Sequence, residues 1–93
     1  MRFWIKVIRD NHLLRDTVVE RMGSETRTAK VFSALEESCN LLNLPVPIWL
    51  KNNVSDFQRI AKCRFRADSF IEQIDFDYLE FHVIQEDPDS IQA

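Results

Sequence analysis

The sequence predicts an α+β domain, and three observations predict it. A run near the start alternates with a strand's period of two, and a second, after a polar break, is rich in β-branched residues. A central run repeats apolar residues at helical three- and four-residue spacing, and a late run sets large apolar side chains among acids. The expected architecture is a three-stranded antiparallel sheet, made of a hairpin plus a C-terminal strand. One long helix lies across one face, with a second short helix beside it.

In residues 3–10, Phe3, Ile5 and Val7 share one parity and Trp4, Lys6 and Ile8 the other, which is a strand. Asn11 and His12 supply a polar break, and residues 13–22 resume with β-branched Thr17, Val18 and Val19, completing a hairpin. The only glycine, Gly23, ends it. Ser24 is then the expected N-cap of the long helix, with Glu25 at its positive end. Thr28, Val31, Phe32, Leu35, Cys39 and Leu42 form its apolar stripe over about five turns. Asn43 can close the helix in the left-handed conformation, and Pro45 and Pro47 oppose its continuation.

Residues 44–50 are extended and apolar, so they should lie against the core with Trp49 as anchor. Residues 51–53 are expected to turn the chain. Ser55 and Gln58, at capping-box spacing, start a short helix through Lys62 with Phe57, Ile60 and Ala61 inward. Residues 63–67 read as extended chain with Phe65 buried, and Asp68 and Ser69 can cap a helical turn through Gln73, a strand being the alternative there. The last strand, Phe76 to Gln85, changes parity between Phe76 and Leu79, which predicts a β-bulge near Tyr78. Residues 1–87 are expected to form a single domain, with 88–93 a mobile tail.

Composition narrows the function classes. No apolar run approaches the roughly 18 to 20 residues that span a bilayer, and the expected setting is cytoplasmic. Cys39 and Cys63 read as free thiols of a reducing compartment. The formal charge of −3 is unevenly laid out: residues 1–66 hold all twelve Lys and Arg against seven acids, whereas 67–93 hold eight acids and no base. The acidic run is therefore expected to neutralise basic segments beside it.

The candidate sites follow from residue types and spacing. His12, Cys39, Cys63 and His82 stand singly, whereas zinc ligands usually come as close pairs, so no metal or other cofactor is expected. Asp75 and Asp77 read as acids at a strand end rather than a catalytic pair. With neither cysteine in a catalytic setting and no glycine-rich phosphate loop, an enzyme is the weaker reading. Residues 51–66 hold Lys51, Arg59, Lys62, Arg64 and Arg66 against Asp56 alone, with Phe57 and Phe65 interleaved, which suits nucleic-acid contact. If Phe3, Ile5 and Val7 meet the helix, then Trp4, Ile8, Tyr78, His82 and Ile84 gather on the opposite sheet face as a surface for another protein, unless the Pro-rich segment and second helix cover it.

Pro47 to Leu50, Asp56-Phe57, Arg59, Arg64-Phe65, and the acidic-aromatic runs Asp68 to Glu72 and Ile74 to Glu80 resemble a group of short uncharacterised bacterial proteins. The resemblance covers about the second half of the chain. It implies a bacterial, cytoplasmic protein and carries no catalytic or binding residue across. The functional expectation is a small non-catalytic binding protein acting through protein contacts, a homodimer being one form of them. Nucleic-acid binding through 51–66 is the alternative.

Overall fold

The computed structural model describes residues 1–88. Strands β1 (Arg2–Arg9) and β2 (His12–Glu20) form the expected hairpin. Its turn falls on Asp10 and Asn11, both at positive φ, rather than on Asn11 and His12. Two successive left-handed residues match the twist of a tight hairpin, and Asp and Asn tolerate them best after glycine. Helix α1 (Arg27–Leu41), helix α2 (Lys51–Ile60), strand β3 (Lys62–Phe65), a 3-10 turn (Ala67–Ser69) and strand β4 (Tyr78–Gln85) follow.

The sheet is antiparallel with strand order β2-β1-β4-β3, so it has four strands and not three. The addition is β3, the stretch expected to be merely extended. Cys63 opposes Phe81 and Phe65 opposes Leu79. A four-residue strand has too little length to announce itself, and its pairing partner lies far along the chain. β1 sits between β2 and β4.

The core lies between one sheet face and both helices. Phe3, Ile5 and Val7 from β1, Leu79, Phe81 and Val83 from β4, and Cys63 and Phe65 from β3 all point into it. Val31, Ala34, Leu35, Cys39 and Leu42 close it from α1, and Phe57 from α2. Phe81 stacks on both Phe3 and Phe57, with centroids 5.3 and 5.6 Å apart, while Trp49 meets Phe57, Phe65 and Phe81 edge-on. Trp49 is thus the expected anchor of the extended segment.

Several expectations are corrected. The N-cap of α1 is Thr26, whose Oγ1 accepts from Ala29 N at 3.2 Å, and the helix is 15 residues long. Ser24 lies too early because the chain from Gly23 first wraps Lys30, whose buried ammonium donates to the Gly23 carbonyl at 2.8 Å. Gly23 itself holds φ +102°, a conformation that side chains resist. Phe32 is 51% exposed and rests edge-on against Trp49 at the rim of the core.

Helix α2 starts at Lys51 because Asn53, read as part of a turn, is a buried polar hub. Its Oδ1 accepts from Leu50 N at 3.0 Å and from the Ser69 hydroxyl at 3.2 Å, and its Nδ2 donates to the Arg64 carbonyl at 2.9 Å. The helix stops at Ile60, which is exposed, and Ala61 takes the left-handed C-cap. The helical turn expected through Gln73 ends at Ser69.

No bulge occurs at Tyr78. Phe76 is buried but precedes the strand, so its parity has no meaning there. The β4 bulge lies at Ile84, left unpaired between Val83 opposite Phe3 and Gln85 opposite Arg2. The expected mobile tail lies outside the described residues apart from Pro88.

Candidate functional site: the uncovered face of the sheet

Because side chains alternate across a strand, burying Phe3, Ile5 and Val7 turns Trp4, Lys6 and Ile8 to the other face. Both helices pack on the core face, so among the described residues no element covers this one. Three cross-strand rows can be traced. Val18, Trp4, His82 and Lys62 form the first, Asp16, Lys6, Glu80 and Arg64 the second, and Ile8 and Tyr78 the third, with Arg66 just beyond.

The middle row is an ion ladder. The Glu80 carboxylate, almost wholly buried, accepts from Lys6 Nζ at 2.9 Å and from Arg64 Nε at 3.2 Å. Burial pushes its carboxyl up, but the Lys6 and Arg64 hydrogen bonds and the charges of Lys6 and Lys62 outweigh this and hold it below its usual value. The Trp4 indole N–H donates to Asp16 at 2.8 Å, with the Lys6 ammonium 3.9 Å from its ring centroid. The Arg64 and Arg66 guanidiniums stand 4.6 and 5.1 Å from the Tyr78 ring. His82 lies between Trp4 and Lys62. Burial first, then the charges of Lys62 and Lys6, lower its pKa against the pull of Glu80.

The sequence-predicted residues are therefore redistributed. Trp4, Ile8, Tyr78 and His82 meet on this face half-buried, with Ile84 exposed at the bulge. Lys62, Arg64 and Arg66 line the β3 edge of the same face, above a shallow depression shared with Asn52 and Asp56. Lys51 and Arg59 stand apart on exposed turns of α2, Arg59 paired with Asp56 at 3.1 Å. Lys6 and Glu80, at the centre, escaped sequence reasoning. A charged residue at an otherwise apolar-patterned position of each strand was the available signal.

The acidic run does neutralise earlier bases. Besides Glu80, Glu86 pairs with Arg27 at 2.8 Å, and Asp87 takes both the Lys30 ammonium and the Met1 α-amino group. Lys62 and Arg66 have no acidic partner among the described residues.

Other chemistry is thinly supported. Both cysteines are buried, and burial, helped at Cys63 by Asp56 and Glu80, pushes each thiol up to about 12, which suppresses the reactive thiolate. Among the described residues no three His, Cys, Asp or Glu converge as metal ligands, and no helix is long and apolar enough to cross a membrane. An apolar groove between α1 and α2 is lined by Val31, Phe32, Trp49, Val54 and Phe57.

No known protein family, curated protein or solved structure matches this chain.

Proposed function

We propose that this chain is a small non-catalytic binding protein whose recognition surface is the uncovered sheet face, and that its ligand is single-stranded nucleic acid. The observation carrying this reading is the row of Lys62 and Arg64 on β3 with Arg66 just beyond it, beside Tyr78 and one strand removed from Trp4. Alternate residues of a strand stand roughly 6 to 7 Å apart on one face, so the row forms a cationic rail. Aromatic rings beside such a rail offer stacking surfaces to bases.

The ion ladder favours nucleic acid over a protein partner. A protein partner covering this face would have to dehydrate Lys6 and Arg64 around the already buried Glu80, whereas the centres of protein interfaces are depleted in charge. Nucleic-acid interfaces are wet and cation-rich, so the ladder keeps its water. The lowered His82 supports a locally positive face on an acidic protein. A cytoplasmic setting, with both thiols reduced, accompanies this reading.

The test is titration of a fluorescent oligothymidine against rising salt. Binding should weaken steeply as salt rises and be lost on joint Arg64→Glu and Arg66→Glu substitution. No binding at low salt ends the proposal.

Protein contact through Trp4, Ile8, Tyr78, His82 and Ile84 is the second reading, favoured by Val18, 49% exposed beside Trp4. It predicts that Trp4→Ala abolishes capture of a partner while leaving salt-sensitive oligonucleotide binding absent throughout.

A further inference from the structure

The two edges of the sheet are treated differently. At the β3 edge, the outward carbonyl of Arg64 accepts from Asn53, and α2 stands alongside. The β2 edge is open. Met1 and Arg21 exchange both backbone hydrogen bonds, at 2.8 and 2.9 Å. By the alternation of antiparallel pairs, Phe3 with Val19 and Ile5 with Thr17 do the same, and Asp16 and Val18 between them direct their N–H and C=O groups away from β1. Among the described residues no backbone group meets these. β2 carries no Pro, its charges are the mixed-sign Arg15, Asp16 and Glu20, which can be met by opposite or neutral residues of a partner, and its one bulge, at Leu14, lies toward its far end.

We infer that this edge pairs with the same edge of a second copy, antiparallel about a two-fold axis at Thr17, joining two four-stranded sheets into one. A two-fold requires the partner edge to be identical, and the residues of β2 select one register for it. An axis at Asp16 sets Asp16 against itself, one at Arg15 sets Arg15 against itself, and one at Val18 sets Asp16 against Glu20. One at Leu14 falls on the bulge, and one at Val19, though free of like charges, pairs only Val18 to Glu20 within the strand. The axis at Thr17 opposes Thr17 to Thr17, Asp16 to Val18, Arg15 to Val19 and Leu14 to Glu20, with no like charges facing. It also joins the outward groups of Asp16 to those of Val18 in the partner on both sides of the axis. Both copies then present their uncovered faces on the same side, as one continuous surface, although the pairing stands without any assumption about the ligand.

Sedimentation of the full chain without nucleic acid tests it. The mass should rise with concentration from 11.0 kDa toward twice that value. Val18→Pro, which deletes an outward N–H that β1 does not use, should restore the single-chain mass; circular dichroism checks its fold. Two substitutions at this exposed site test the antiparallel pairing. Val18→Lys should tighten the dimer, roughly 2- to 30-fold, by facing Asp16 twice, and Val18→Asp should loosen it comparably. A wild-type chain that stays single at millimolar concentration, a Val18→Pro variant that dimerises like wild type, or Lys and Asp variants that shift dimerisation alike would overturn the inference.

Discussion

Lys6 and Glu80 face each other directly across β1 and β4, with the ammonium 2.9 Å from Oε2. Their pairing puts a charged contact at the middle of a sheet face that also carries Trp4, Ile8, Tyr78 and His82. Glu80→Ala should destabilise the fold by about 2–3 kcal/mol, below the range for fully buried pairs, because Lys6 and Arg64 keep access to water. A carboxyl held below its unfolded value contributes stability that is complete above that value and lost as pH falls through the folded one. Wild type should therefore lose this contribution in acid, and Glu80→Gln should show a flatter acid limb in urea melts.

His82 should titrate below the ordinary histidine value, because burial and the neighbouring ammonium groups disfavour its charged form. The neutral form is favoured on folding, so this site's stabilisation is complete above the unfolded pKa and diminishes as pH falls toward the folded one. Imidazole resonances in an NMR titration read the midpoint directly. Oligonucleotide bound on this face should raise it, since added phosphates offset Lys6 and Lys62.

Asn53→Ala should cost about 1–3 kcal/mol by leaving the Leu50 N–H and the Arg64 carbonyl without their side-chain partner. Asn53→Asp should be similarly destabilising, since it removes the donor to Arg64. A chemical melt in which both match wild type would contradict the hub.

Phe81→Ala should cost about 3–5 kcal/mol, as the ring is fully buried and stacked on Phe3 and Phe57. Phe32→Ala, half exposed against Trp49, should cost about 0.5–1.5 kcal/mol and change Trp49 fluorescence. Equal costs would mean that the core boundary is misplaced.

Ala61→Gly should stabilise by about 1 kcal/mol, because Ala61 holds φ +56° at the end of α2. The hydrogen bond from Val83 N to its carbonyl is a backbone contact and survives the change. A lower melting temperature for the variant would refute strain at this cap.

The local periodicities of the chain fixed the hairpin, the stripe Val31, Leu35, Cys39 and Leu42, and the burial of Leu79, Phe81 and Val83, because each depends on which face a residue takes within its own element. Tertiary structure alone decided that Lys62–Phe65 becomes a strand, that Asn53 is buried as a polar hub, and that Lys62, Arg64 and Arg66 share a face with Trp4 and Tyr78. Each of these depends on a partner 11 or more positions away, as with Asn53 and Arg64, or Lys62 and His82. Short segments have weak intrinsic preferences, so long-range pairing determines what they become.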